Sequence, residues 1–174
     1  MIIRPAFTED IPAILAIIND AKALLKSLNI NQWQNGYPNK AQILQDIANN
    51  ESFVVVNDTH TIMATTMFTC KPEPTYKTIK DGKWLIDENL PYGVIHRLAM
   101  KKEYRGLGIA QFIFKEFHNQ LKKNHIKSLK IDTHENNLGM QHLIKKMGYQ
   151  YCGIIYTSYG DKRLAFEKII ATEY

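Results

Sequence analysis

Two glycines, Gly106 and Gly108, stand directly before a predicted helix, in the stretch Arg105–Ala110. Glycine adopts positive φ angles without strain and lets a ligand approach the backbone closely. The first amides of a helix lack carbonyl partners within the helix, and together with the helix dipole they favour a bound phosphate. A tight turn between a strand and a helix uses glycines in the same way, so the pair by itself leaves both interpretations open.

The residues around the glycine pair argue against the two common nucleotide-binding motifs. The stretch has no third glycine of the dinucleotide-binding fingerprint, and no acidic residue follows at the expected offset. It also lacks the Gly-Lys-Ser/Thr ending of a P-loop. A phosphate-bearing ligand of another kind is still compatible with the turn.

Three side chains able to exchange protons, His96, His134 and Glu135, lie in or next to predicted strands. Histidine changes its charge near neutral pH, so each histidine is a candidate base or relay, or else a residue hydrogen-bonded within the sheet or a polar loop. No two of these residues form an i, i+4 pair on a helix, and no cysteine joins them. The sequence therefore predicts no metal site.

The elements that must position these residues alternate between strands and helices. The predicted strands are Ile2–Arg4, Ser52–Val56, Thr61–Cys70, Gly93–Met100, Ser128–Asp132, Tyr149–Thr157 and Arg163–Ile169. The predicted helices start at Thr8 or Asp10, after Asn39, at Ile109 and at Asn137. Lys71–Pro91, with three prolines and alternating charges, is predicted to be a long loop near a site. This order predicts a mixed α/β fold whose sheet has helices on both faces.

Composition narrows the class of protein. The 174 residues are 45% apolar and 22% charged, which is typical of one globular domain, so we expect a single domain over residues 1–174. No apolar run approaches the roughly 18 residues that a membrane span requires, and we expect a cytoplasmic protein. The formal charge of +5 suits an anionic ligand, but the basic residues are scattered. Cys70 and Cys152, in apolar strand-like contexts, are predicted to be reduced core residues.

The order of these motifs resembles the GNAT superfamily of N-acetyltransferases. Its acyl-CoA-binding signature, Arg/Gln-x-x-Gly-x-Gly/Ala, is matched by Arg105, Gly108 and Ala110. Three more blocks occur in order: an Ile-Arg-Pro-Ala opening followed by Glu9-Asp10-Ile11, the strand Ile95–Met100, and the segment from Asn137 to Gly148-Tyr149. The resemblance implies the acyl-CoA N-acyltransferase fold, with a central, mostly antiparallel mixed sheet. It also implies direct transfer of an acetyl group from acetyl-CoA, as cosubstrate, to a primary amine of a small molecule or peptide.

The resemblance further implies which positions bind acetyl-CoA. The turn's amides hold the pyrophosphate, and the preceding strand runs along the pantetheine. The implied positions are Leu98, Ala99, Met100, Arg105, Gly106, Leu107, Gly108, Ile109, Ala110, Asn137 and Met140. The family's frequent general acid, a tyrosine on the last helix, falls here on Ile144. The sequence thus departs from the family pattern at the residue that protonates the departing thiolate.

Catalytic roles follow from the same resemblance. His96, two residues before Leu98, occupies a strand position where other members place a catalytic Glu or His, and strand alternation puts the two side chains on one face. It is the candidate base that takes the amine proton. A backbone N–H near Leu98 to Met100 would polarise the thioester carbonyl. Because a thiol is a tolerable leaving group at neutral pH, water can replace the missing acid. Tyr151 and Tyr156, on a predicted strand, are candidate side chains for it, although core or sheet packing also explains them.

The acceptor side is less determined by the sequence. Trp33 and Tyr37 lie in the loop region from which the family builds its acceptor wall, although ordinary edge packing also explains them. His134 and Glu135 can bind the amine or relay a proton. Two other functions stay open: an acyl-CoA sensor without turnover, and an acetyltransferase for a protein N-terminus or an aminoacyl-RNA. A membrane partner is not predicted, nucleic acid is not favoured, and a homodimer is compatible with the sequence.

Overall fold

Over residues 1–171, the part of the chain that the computed structural model describes, seven strands and four α-helices are formed. The strands are β1 (Ile2–Pro5), β2 (Ser52–Val56), β3 (Ile62–Thr69), β4 (Gly93–Met100), β5 (Ser128–Thr133), β6 (Gln150–Tyr156) and β7 (Lys162–Ile169). The helices are α1 (Ile11–Ser27), α2 (Lys40–Ala48), α3 (Ile109–Lys123) and α4 (Leu138–Lys146). The predicted order of elements is confirmed, with end positions that differ by a residue or two.

The strands form one sheet in the order β1-β2-β3-β4-β5-β7-β6. The pairs β1–β2, β2–β3, β5–β7 and β6–β7 are antiparallel. Strands β4 and β5 run parallel and pair through Gly93 with Leu129 and Val94 with Lys130. The predicted mixed, mostly antiparallel sheet is therefore confirmed.

The chain divides into two compact units, of which the first comprises Met1–Phe68 and His96–Ile113. Its core is built on the apolar face of α1, because the buried isoleucines of that helix recur at helical spacing. The buried residues of this core are Ala6, Ile11, Ile14, Ile17, Ile18, Ile43, Val54, Val56, Ile62 and Ala99. Asn39 caps α2 by accepting a hydrogen bond from the Gln42 amide at 3.0 Å.

The second unit comprises Thr69–Ile95 and the chain from Phe114 onward. Its core cluster contains Tyr76, Tyr92, Val94, Ile155 and Ala165. The segment Lys71–Pro91, predicted to be a long loop, contains a short 3-10 turn at Pro74–Tyr76. It is fixed by paired backbone hydrogen bonds of 2.8 Å between Lys80 and Ile154 and by one of 2.9 Å from Trp84 Nε1 to the Tyr76 carbonyl.

One prediction about the cysteines is wrong. Cys152 is buried and Cys70 is exposed, and both thiols are free. The reason is local: β3 ends at Thr69, so Cys70 lies one residue beyond the strand whose apolar context suggested a core position.

Among the described residues, no helix combines the length and apolar character that crossing a membrane would need.

Candidate functional site

The glycine turn has the geometry that a close backbone approach requires. Gly106 has a φ of +78° and Gly108 a φ of +81°, in the left-handed region that other residues enter only with strain. A Cβ atom placed on Gly106 would meet nothing within 4 Å, and one on Gly108 would meet only the Gln111 side chain, at 3.9 Å. Packing within the protein therefore does not require these glycines, and the space beside them is open.

Helix α3 starts directly after this turn. Its first hydrogen bond runs from the Phe112 amide to the Gly108 carbonyl at 3.0 Å. The amides of the first turn precede that bond and, by helix geometry, have no carbonyl partner within the helix. Ile109 and Ala110 are buried and fix the start of the helix, whereas Leu107 is 67% exposed. Open space, unpaired helix amides and the neighbouring Arg105 together suit a phosphate group.

The second half of β4, which leads to this turn, contains a break in the strand geometry. Arg97 has a φ of +53°, which costs a non-glycine residue about 1–3 kcal/mol. His96, Arg97 and Leu98 are all half-buried, so the alternation of faces does not continue through Arg97. The strand alternation used above to orient His96 relative to Leu98 therefore does not apply here. The His96 backbone carbonyl accepts a hydrogen bond of 3.3 Å from Thr66 Oγ1.

The Arg97 side chain forms a buried ion pair that the sequence analysis missed. Its Nε and Nη2 donate to the two carboxylate oxygens of Asp46 at 2.7 and 2.8 Å, and Nη1 donates to the Tyr37 hydroxyl at 2.5 Å. The Arg97 and Asp46 side chains are only 9% and 4% exposed. A signal existed in the sequence, because Asp46 lies between Ile43 and Ile47 on the apolar side of α2, where a carboxylate needs a partner.

The loop that carries Trp33 and Tyr37 is held in place by several contacts. Trp33 packs against the first unit's core, and Tyr37 contacts Arg97. From α1, Lys22 Nζ donates to the Pro38 carbonyl at 2.5 Å, and the Lys22 carbonyl accepts from Gln34 Nε2 at 3.1 Å. The structure thus brings Tyr37 to β4, while Trp33 anchors the loop in the core.

In the second unit, the predicted polar residues at the end of β5 have structural partners. His134 Nδ1 accepts from the Asn136 amide at 3.1 Å, and Glu135 pairs with Lys162 at 2.8 Å. Burial, followed by the charge of Arg163, lowers the pKa of His134. Asn137 caps α4 by accepting from the Met140 amide at 3.1 Å.

The tyrosines near these residues differ in exposure. Tyr151, on β6, is 51% exposed and packs on Phe166 with ring centroids 5.7 Å apart. Tyr76 is buried and donates to Asp132 at 2.8 Å, and burial raises its pKa well above the ordinary value. Ile144, at the position of the family's usual tyrosine, is fully buried. Among the described residues, no group of three or more His, Cys, Asp or Glu side chains is arranged to hold a metal ion.

A family model and a solved structure both relate the chain to acetyltransferases. The model of the acetyltransferase (GNAT) family matches residues 20–149. The chain is 35% identical to a GNAT-family acetyltransferase from Streptococcus agalactiae, with a TM-score of 0.88 over 98% of this chain and 96% of that one. No curated protein matches the sequence significantly.

More distant solved structures share the fold. A putative acetyltransferase from Staphylococcus aureus is 23% identical with a TM-score of 0.73, over 98% of this chain and all (100%) of the other. A ribosomal-protein-alanine N-acetyltransferase from Brucella melitensis is 18% identical with a TM-score of 0.67, over 97% of this chain and 99% of the other. At these identities the likeness shows the fold alone.

Proposed function

The chain belongs to the GNAT family of acetyltransferases, and on that basis we propose that it transfers the acetyl group of acetyl-CoA to a primary amine on a small molecule or peptide. The observation that carries the proposal is the glycine turn before α3. Both glycines have positive φ angles, and the space where their Cβ atoms would lie is open. We propose that Arg105–Ala110 holds the pyrophosphate and that Leu98–Met100 runs along the pantetheine.

The proposed chemistry needs few groups from the protein. Acetyl-CoA supplies an activated thioester carbonyl. In our proposal a backbone N–H in Leu98–Met100 donates to the carbonyl oxygen, and His96 takes the proton of the attacking amine. Asn137 and Met140, at the start of α4, are proposed as further cofactor contacts. Water or Tyr151 would protonate the departing thiolate.

We propose Trp33 and Tyr37 as parts of the acceptor wall, with His134 and Glu135 as further acceptor contacts. The order of the loop around Tyr37 supports this, because a fixed wall lowers the entropy cost of orienting an acceptor. We further propose that residues 1–174 form a single domain and that the protein is cytoplasmic.

The first test is turnover. Purified protein is mixed with acetyl-CoA and a panel of small amines, amino acids and peptides, including a peptide with an N-terminal alanine, and release of free thiol is followed. Acceptor-dependent release above the rate without acceptor is the expected result. Tight CoA binding without release across the panel would reject the proposed acceptor class and favour a macromolecular acceptor or a sensor.

A matched pair of glycine substitutions tests the cofactor site separately. Gly106→Ala places a methyl group in the open space, so we expect CoA affinity to fall by roughly tenfold or more. Gly160→Ala is the control, because Gly160 has a φ of +87° and nothing within 4 Å of its Cβ position. Both variants carry the same backbone strain. If calorimetry gives the same CoA affinity for Gly106→Ala and Gly160→Ala, the proposed binding of the pyrophosphate by Arg105–Ala110 is contradicted.

The base is tested by the pH dependence of turnover. His96→Ala should lower kcat by roughly 10²–10⁴-fold, and the difference from the wild type should shrink at low pH, because only an unprotonated base can take the proton of the amine. Full turnover of the variant at every pH would remove His96 from the mechanism.

A further inference from the structure

Arg97 uses all three guanidinium nitrogens to join three parts of the first unit. Nε and Nη2 hold Asp46 on α2, and Nη1 holds the Tyr37 hydroxyl in the loop at residues 31–39. The Arg97 backbone belongs to β4, directly before the proposed cofactor positions.

The charge of Arg97 is already matched, so the side chain is poorly suited to bind an anionic substrate. Asp46 takes two of its nitrogens in a planar, bidentate pair, and the Arg97 side chain is only 9% exposed. Gln42 Nε2 also donates to Asp46 Oδ1, at 2.9 Å, which fixes the carboxylate. The arrangement therefore provides geometry rather than a free positive charge.

The residue that forms the ion pair, Arg97, also has a strained backbone angle. Arg97 has a φ of +53°, an angle that persists in a non-glycine residue only where the surroundings hold it. The ion pair with Asp46 fixes the side chain of this residue. The guanidinium of Arg97 also donates to the Tyr37 hydroxyl. The loop at residues 31–39 is therefore attached to β4 at this strained residue.

We propose that Arg97 is a positioning residue that holds the acceptor loop at residues 31–39 against β4 and thereby sets the position of the acceptor amine. The inference rests on the proposed function, and it adds a residue pair, Arg97 and Asp46, that acts through Tyr37 rather than by touching the reacting atoms. The Tyr37 hydroxyl is not among the positions assigned to acetyl-CoA, so its removal should leave cofactor binding unchanged.

Two variants test the proposal. Arg97→Lys keeps the charge but loses the planar fork. For the amine of the acceptor panel that the wild type acetylates fastest, we expect kcat/KM to fall roughly 10- to 100-fold. Tyr37→Phe deletes one hydroxyl and keeps the ion pair, so its loss should be roughly three- to tenfold. In Tyr37→Phe, which leaves the ion pair and β4 in place, the CoA dissociation constant, measured by calorimetry, should stay within about twofold, because the turn before α3 is intact. If Arg97→Lys does not fold, Tyr37→Phe still tests the contact.

The control is Arg4→Lys. Arg4 forms an equally bidentate pair with Asp10, at 2.7 and 3.0 Å, without contacting the loop at residues 31–39. We expect it to match the wild type in acceptor kcat/KM. If the wild type turns over and kcat/KM for the acceptor is unchanged in both test variants, the inference is overturned, and a loss of CoA affinity in Tyr37→Phe would overturn it too. Absence of wild-type turnover would instead refute the proposed function, and the positioning role with it.

Discussion

Two buried basic side chains, one in each unit, are accommodated in opposite ways. Arg97 remains charged and is paired with Asp46 through both carboxylate oxygens. His118, on α3 in the second unit, shares a 2.9 Å hydrogen bond with the Tyr149 hydroxyl. Burial, followed by the charges of Lys168 and Lys122, lowers the pKa of His118 to about 4. The first group is stabilised by a counter-charge, and the second by staying neutral.

This difference determines whether the surroundings of Arg97 and of His118 are sensitive to substitution or to pH. Removing the partner of a buried charge leaves that charge without compensation, so the region around Arg97 should be sensitive to substitution. A buried neutral histidine is instead sensitive to protonation, so the region around His118 should respond to pH.

Asp46→Ala should destabilise the protein more than any substitution at the Arg4–Asp10 pair. It leaves the Arg97 guanidinium buried and without its carboxylate, and we expect a loss of about 3–5 kcal/mol in the free energy of unfolding. Denaturant unfolding at pH 7 measures it. A loss no larger than that of Asp10→Ala would show that burial does not distinguish the two arginine pairs.

Acidification should destabilise the second unit through His118. The unfolded histidine titrates near 6.5 and the folded one near 4, so the unfolded state binds more protons between these values. The stabilisation is present above pH 6.5 and is lost as the pH falls to 4. From about 1.36 kcal/mol per pKa unit, the loss is on the order of 3 kcal/mol.

His118→Gln can keep a hydrogen bond to Tyr149 but does not titrate, so its stability should vary less with pH over that window. His142→Gln, at an exposed position of α4, is the matched control for the substitution itself. Identical pH dependence in His118→Gln and the wild type would contradict a neutral buried His118.

Replacing both members of the Arg97 pair should restore most of the lost stability. In Arg97→Met/Asp46→Leu no charge remains buried, and we expect the free energy of unfolding to lie within about 2 kcal/mol of the wild type. The acceptor kcat/KM should nevertheless stay low, because the Tyr37 contact is gone. Recovery of both properties would mean that Arg97 contributes only to stability.

The less buried arginine pair, Arg4 with Asp10, should show the smallest effect. The Arg4 and Asp10 side chains are 33% and 11% exposed, and we expect Arg4→Met to cost at most about 1 kcal/mol. The hydrogen bond from Arg4 lowers the pKa of Asp10, against the opposing effect of burial. In Arg4→Met that pKa, followed by NMR titration, should therefore rise. An unchanged pKa would show that the pair does not persist in solution.

Much of the fold was predictable because its signals are local. The bounds of β2 and β4 were predicted as observed, since runs of β-branched residues end at turn-forming residues. The glycine turn and the start of α3 also follow from neighbouring residues alone. The Cys70 prediction failed because one residue separates the end of a buried strand from an exposed position.

The missed part of the candidate site depends on contacts between distant residues. Asp46 and Arg97 are 51 positions apart, and Arg97 has a positive φ, which no residue pattern predicts. The same φ angle invalidates the strand alternation used for His96. A buried carboxylate on α2 indicates that a partner exists, but only the fold identifies it.

The exposure of Cys70 has a practical consequence for measuring turnover. A thiol reagent that detects released CoA also meets this side chain, while Cys152 is buried and its pKa is raised by burial to about 11. Even when acetyl-CoA is absent, each chain should consume close to one equivalent of reagent. The reaction should be slow, because partial burial raises the pKa of the Cys70 thiol and the thiolate is the reactive form. Catalysis is then the signal that continues beyond that stoichiometric baseline, and a Cys70→Ser chain should remove the baseline while leaving the later slope in place.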